Sequence, residues 1–283
     1  MHKVIVFGGA GQLGQCLQAL QGEYPGIELV IVPRESADIL ERETLEKVFE
    51  EHRPAYCINC AAYTAVDKAE DEPEAALKIN REGVKNIAEL CEKYSTILIH
   101  ISTDFVFPGT SVQPLQENDE IKPVNIYGES KAEGEKALQE ILSGYFIIRT
   151  SWLYSEFGNN FVKTMIRLGK ERDELRVIWD QAGTPTYAID LANCILTVIG
   201  TENRDFGIYH YSNEGITSWY DFAKAIFELS GTDVKVVPVR TAEYVTKAKR
   251  PQYSVLDKAK VKKNLNLEIP HWRESLVKCI EKL

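Results

Sequence analysis

The sequence predicts an α/β fold, a Rossmann-type doubly wound parallel sheet with a smaller C-terminal region packed against it. Three observations carry this. Short apolar runs alternate with helical patterns through the first half, which is the rhythm of βαβ units and a sheet covered on both faces. A glycine-rich turn, Gly8-Gly9-Ala10-Gly11-Gln12-Leu13-Gly14, follows the first run and opens a helix. A Ser102-Thr103-Asp104 step ends the fourth run. Right-handed crossovers bring the carboxyl ends of parallel strands to one edge, so the glycine turn and the Ser-Thr-Asp step face one crevice.

Val4 to Phe7 reads as a strand, Gln12 to Gln21 as a helix, and Leu29 to Val32 as a second strand before a helical Glu41 to Glu51. Tyr56 to Asn59 forms a third strand. A long helix then starts near Pro73, a favoured first-turn residue, and runs to Tyr94. Ile97 to Ile101 is the fourth strand, Tyr127 to Leu142 a helix, and Phe146 to Ile148 the fifth strand. Beyond Trp152 the alternation breaks. A turn-rich insert around Gln181 to Thr186 precedes a helix from Ala188 to Ile199, and Phe206 to Tyr211 reads as a strand. Trp219 to Leu229 is a helix, Val234 to Val237 a strand, and His271 to Leu283 a last helical region after the loop Lys247 to Pro251. The expected division is therefore residues 1–150 as a dinucleotide-binding Rossmann domain and 151–283 as a mainly substrate-binding region, part of it packing on the first.

At 283 residues the chain exceeds one ordinary domain core. Its 44% hydrophobic and 27% charged residues place it among aqueous globular proteins, and no apolar run is long enough to span a membrane. The first residues enter a strand directly, so no signal peptide is expected. A net charge of −9 argues against a nucleic-acid surface. The six cysteines are scattered, which fits a reducing cytoplasm, and the five histidines include no pair at metal-ligand spacing. Cys57 and Cys60 have redox spacing but lie along a buried strand, where two small core residues are the simpler reading.

The glycine turn has the context a dinucleotide fingerprint requires. Glycines let the backbone approach a pyrophosphate, and the following helix points free N–H groups at it. Gly8, Gly11 and Gly14 are the candidates. The second strand ends Val32-Pro33-Arg34-Glu35, where Arg34 suits the 2′-phosphate of NADP and Glu35 could serve NAD. The expectation is NADPH, with NADH admitted.

Tyr127 and Lys131 are four residues apart in a predicted helix and share one face. An ammonium beside the phenol lowers its proton affinity, and Ser102 or Thr103 at a strand end could bond the same oxygen, giving a relay for carbonyl–alcohol chemistry. Tyr220 and Lys224 repeat the spacing without the strand end or the glycine turn, and read as helix packing.

Together these residues resemble the extended short-chain dehydrogenase/reductase superfamily and, within it, the dTDP-4-dehydrorhamnose reductase family. The resemblance rests on the glycine spacing with Gln12 inside it, on Ala61 to Glu70, and on Asn80-x-x-Gly83-x-x-Asn86. It continues through Ser102 to Gly109, Tyr127-x-x-x-Lys131, Arg149-Thr150-Ser151-Trp152, Asp180 to Thr186 and Arg250-Pro251-x-x-Ser254-x-Leu256-Asp257. It implies hydride transfer from a reduced nicotinamide to the C4 ketone of a deoxythymidine-diphospho-sugar, giving dTDP-L-rhamnose for surface polysaccharide. By it, Tyr127 protonates the alkoxide, Lys131 holds the nicotinamide ribose and Thr103 orients the carbonyl. Asp104 binds a sugar hydroxyl and Trp152 offers a flat face to the sugar. Gln12, Leu13, Asp38, Ile39, Ala62, Tyr63 and Thr64 join the cofactor contacts. Phe105 departs from the family pattern, where many relatives show Tyr. Lys247, Lys249 and Arg250 form the best remaining basic cluster, and Arg250 is expected to grip the diphosphate. A sugar-nucleotide epimerase or dehydratase, a non-catalytic NADP-binding regulatory subunit like that of methionine adenosyltransferase, and a homodimer all stay open.

Overall fold

The structure is a computed structural model describing residues 1–283. Its first strand, β1 (His2–Phe7), leads through the glycine turn into α1 (Gln12–Leu20). There follow β2 (Ile27–Val32), α2 (Arg42–His52), β3 (Tyr56–Asn59), a short α3 (Val66–Ala69), α4 (Pro73–Leu77), α5 (Val84–Tyr94), β4 (Ile97–Thr103), α6 (Ile126–Ile141) and β5 (Tyr145–Thr150). The second half holds β6 (Leu153–Tyr154), α7 (Phe161–Glu171), β7 (Glu174–Ile178), β8 (Ala182–Gly183), β9 (Thr186–Tyr187) and α8 (Ala188–Gly200). It ends with β10 (Gly207–His210), β11 (Thr217–Ser218), α9 (Trp219–Ser230), β12 (Lys235–Val239), α10 (Ala259–Leu265) and α11 (Trp272–Ile280).

Six strands form one parallel sheet in the order β2-β1-β3-β4-β5-β10. The strand order reverses direction between β1 and β3, so the crevice for a ligand opens at their carboxyl ends. Both faces of the sheet are covered. Leu45, Phe49, Ile87, Leu90 and Leu138 of α2, α5 and α6 pack on one face with Ile5, Cys57, Leu98 and Ile147. Val4, Val6, Ile58, Ile99 and Ile148 face the other way, against Leu17 of α1 and Leu191 and Ile195 of α8. That second core runs on without a break to Tyr154, Val162, Phe222 and Trp272. The C-terminal half thus supplies a strand and a covering helix to the sheet and also builds its own layer, where β7 and β12 pair in parallel.

Two features depart from the expected elements. The helix from Pro73 to Tyr94 is interrupted by a π-helical stretch, Lys78–Gly83. There the Asn80 side chain reaches across to Tyr63 and to Ser130 of α6, which draws the backbone out of α-helical register. α7, β7 and α10 were not foreseen. The pattern was present, since Asn160 caps Lys163 N–H and Val162, Met165 and Gly169 fall on one buried face, but the surrounding turns masked it.

Candidate active site

The glycine turn folds as it does because of Gly8. Its φ of 77° is a conformation L side chains rarely adopt, and a Cβ there would lie 2.5 Å from the Ala61 backbone nitrogen. Gly11 caps α1 without a side chain, leaving the helix amino terminus bare. A cleft of about 310 Å³ opens beside it. Gly8, Gly11, Arg34, Asp38, Ile39 and Ala62 line this cleft together, along with Gly9, Glu35, Ala61 and Ile79. Arg34 is largely exposed and donates from Nε to Asp38 Oδ2 at 2.8 Å. Burial works against the Asp38 charge, but the Leu40 N–H and Arg34 outweigh it and hold the carboxyl below its usual range.

The other cofactor candidates flank the cleft. Gln12 accepts from Asn160 Nδ2 at 2.8 Å, Leu13 is a core side chain, and Gly14 is buried in α1. Tyr63 donates its phenol to Glu72, its backbone N–H bonds Asn80, and Thr64 lies exposed beside it.

Tyr127 sits in the first turn of α6. Asn125 caps that turn by accepting from Gly128 N–H at 2.8 Å, and Glu70 accepts from Ile126 N–H at 2.9 Å. His100 and Ser102 share one face of β4, and Ser102 is engaged there, donating to Glu135. Thr103, the last residue of the strand, is the hydroxyl beside the Tyr127 phenol. Its Oγ1 lies 3.1 Å from Asp104 Oδ1 and accepts from Phe105 N–H at 3.2 Å.

The charge pattern corrects one expectation. Lys131 does not lower the Tyr127 proton affinity here. Burial pushes the phenol up to about 12, Thr103 pulls it down and Asp104 pushes it further up. Lys131 Nζ is turned to the Ile101 carbonyl at 2.6 Å. Burial brings the lysine down to about 8, opposed by Glu135 and Cys60. Glu135 is itself held by Arg149, from Nη2 at 2.7 Å and Nε at 3.0 Å, both side chains being sealed from solvent. Asp104 is equally buried, its Oδ2 has no hydrogen-bond partner, and desolvation raises its carboxyl to about 6 against the opposing pull of the Ser254 and Thr103 hydroxyls.

Two substrate candidates are placed differently from expectation. Trp152 has one of its faces taken. It adopts a φ of 45°, stacks on Trp219 with ring centroids 3.6 Å apart at 12°, and is backed by Gly183, where a Cβ would fall 2.6 Å from Cε2. Arg250 does not hold a free guanidinium. Its fork grips Asp67 at 2.7 and 3.1 Å, while Lys247 pairs with Asp71. Two of the three basic residues are paired because the loop carrying them lies against the acidic stretch after β3, while Lys249 is exposed. Tyr220, the repeat of the spacing, packs on the larger core.

Sequence reasoning gave no site role to Asn125, Glu70, His100, Glu135, Arg149 and Trp219, although Glu70 and Arg149 fall within the motifs that carry the family resemblance. Glu135 was accessible, being one further turn along the Tyr127–Lys131 face. The rest are joined only by the fold. The bare helix terminus, a turn that tolerates no Cβ and Arg34 at the end of β2 fit a dinucleotide phosphate.

The profile of the RmlD substrate binding domain matches residues 1–283. The chain is 40% identical to a dTDP-4-dehydrorhamnose reductase of Escherichia coli, over 99% of this chain and 97% of that one. It is also 40% identical to the spore coat polysaccharide biosynthesis protein SpsK of Bacillus subtilis, over 98% and 96% of the two chains. Among solved structures, dTDP-4-dehydrorhamnose reductase of Bacillus anthracis in complex with NADP superposes with a TM-score of 0.95 at 42% identity, covering 100% of this chain and 99% of that one.

Proposed function

The chain belongs to the RmlD family of dTDP-4-dehydrorhamnose reductases, and on that premise we propose that it reduces the C4 ketone of dTDP-4-dehydro-L-rhamnose with NADPH. The product is dTDP-L-rhamnose, an activated sugar for surface polysaccharide, made in the cytoplasm. The observation that carries this reading is the Tyr127 phenol beside Thr103 at the carboxyl end of β4, on the same edge of the parallel sheet where β1 runs into the glycine cradle, with Lys131 one turn further along α6.

When bound, the reduced nicotinamide supplies hydride to C4. Tyr127 gives its proton to the nascent alkoxide. A phenol pushed up to about 12 is fully protonated at neutral pH, the form a donor needs. Thr103 orients the carbonyl oxygen toward that phenol, and the Lys131 ammonium anchors the nicotinamide ribose. Asp104 Oδ2, buried without a partner, is an acceptor for a sugar hydroxyl. Trp152 bounds the sugar with the edge of its ring. The α1 terminus and Gly8 and Gly11 hold the pyrophosphate, Arg34 the 2′-phosphate, and Asp38, Ile39, Ala62, Tyr63 and Thr64 the adenosine side and its approach. Residues 1–150 serve mainly the cofactor and 151–283 mainly the sugar nucleotide.

The test is direct. Purified protein mixed with NADPH and dTDP-4-dehydro-L-rhamnose should consume the nicotinamide absorbance in proportion to sugar reduced. Bound NADPH with no turnover would sink the reductase reading and leave a non-catalytic role.

A further inference from the structure

His100 is fully buried on β4, directly opposite Asn59 on β3, and nothing in the proposed chemistry uses it. Its surroundings fix its proton. Asn59 Oδ1 accepts from the Ala61 N–H at 3.0 Å, so the amide nitrogen of Asn59 is the group facing His100 Nδ1 at 3.1 Å. An amide N–H can only donate, which makes Nδ1 the acceptor. A neutral imidazole then carries its hydrogen on Nε2. Neutral is the form present, because burial and the neighbouring Lys131 hold the ring well below its usual range. Nε2 lies 3.5 Å from Lys131 Nζ. An N–H aimed at an ammonium sets donor against donor, whereas the same N–H aimed at a neutral amine meets a lone pair.

We propose that His100, oriented by Asn59, is a positioning residue for Lys131 that disfavours its charge and aims Nζ at the Ile101 carbonyl. The other groups facing Nζ oppose or leave this unchanged. Glu135 on α6 and Cys60 after β3 favour the ammonium, Glu135 is already engaged by Arg149 and Ser102, and Tyr127 lies one turn back on α6. A lysine held near the edge of ionisation can exchange a proton during turnover, which an ordinary ammonium near ~10.4 does poorly at neutral pH. The functional value of this rests on the reductase reading, but the effect on Lys131 does not.

Two substitutions reverse the tautomer logic. Asn59→Asp puts an acceptor opposite Nδ1, moves the imidazole hydrogen there and frees Nε2 as an acceptor for Nζ. His100→Gln replaces the ring N–H with an amide that can turn its oxygen to Nζ. The Nζ resonance of 15N-lysine-labelled protein, assigned by its loss in Lys131→Met, reports the titration without cofactor or substrate. Both variants, folded by circular dichroism, should titrate at least about one pH unit above the wild type, the scale of one gained hydrogen bond to a charged group. The alkaline limb of NADPH affinity should move up with it. An unmoved Nζ titration in folded His100→Gln overturns the proposal, as does a downward shift in Asn59→Asp. Failure of the reductase reading would show separately, as absent sugar reduction with the Nζ shifts intact.

Discussion

Tyr127 is under two opposing demands: it must hold a proton until hydride arrives and then release it. Burial secures the first, and Thr103, which lowers the phenol's proton affinity, moderates the second. Tyr127→Phe should therefore cut turnover by roughly 10²–10⁴ while leaving NADPH binding in place. Tyr220→Phe should stay within a few-fold, and steady-state kinetics reversing that order would remove Tyr127 from the chemistry. Arg34 is exposed and pays for its position only with the Asp38 contact. Arg34→Ala should weaken NADPH by about tenfold, with NADH nearly unchanged, since only the 2′-phosphate distinguishes them. Equal losses in fluorescence titrations with the two cofactors would reduce Arg34 to a turn residue. Asp104 allows a stability test. Its folded-state pKa of about 6 lies above the ordinary carboxyl value, so its contribution is fully present in acid and is lost as pH rises through about 6. Asp104→Asn should thus raise the melting temperature at pH 7, and the gain should vanish below about pH 4, near the unfolded carboxyl's pKa. A gain that persists in acid would mean that the buried charge is not its cause.

At the scale of elements, α6 carries the site because three of its residues recur every four positions. Tyr127, Lys131 and Glu135 fall on one face, and the strand facing them alternates His100 and Ser102 toward the same side. The sealed Glu135–Arg149 pair fixes α6 against β5. Burying two charges is offset only while both are present. Arg149→Met alone should cost about 3–5 kcal/mol in urea unfolding, by leaving Glu135 unpaired, and Glu135→Leu added to it should recover most of that loss. A double variant as unstable as the single one would mean that Arg149 acts through its bonds to the Glu117 carbonyl and its contact with His210 instead.

Across the whole molecule, the loop from Thr246 to Pro251 straps the C-terminal half to the N-terminal half. Arg250 holds Asp67, Lys247 holds Asp71, Ala248 N–H bonds Asp67, and Asn125 donates to the Lys249 carbonyl at 2.7 Å. The last of these ties the strap to the residue that caps the turn bearing Tyr127. Arg250→Ala and Asp67→Ala should each raise KM for the nucleotide sugar several-fold. A double-mutant cycle on stability should give a coupling below about 1 kcal/mol that shrinks with added salt, because the pair is partly exposed. Additive effects on KM would mean that Arg250 and Asp67 contact the ligand separately.

The sequence alone determined the parallel α/β architecture, the glycine cradle and the Tyr127–Lys131 face. Each is a local pattern: apolar runs at strand length, glycines between a strand and a helix, and a spacing of four along one helix. The residues alone left Ser102 and Thr103 open, the family resemblance chose Thr103, and the fold engages Ser102 with Glu135 and leaves Thr103 beside Tyr127. Only the tertiary structure decided the rest. Arg250 looked like a free phosphate grip until the fold brought it to Asp67, 183 positions away. Trp152 looked like an open platform until the fold stacked one of its faces on Trp219 and brought Gly183 against the ring. The sign of the shift at Tyr127 was decided in the same way, because burial and neighbouring charge are set by residues distant in the chain, and a low-dielectric interior lets them outweigh the local spacing.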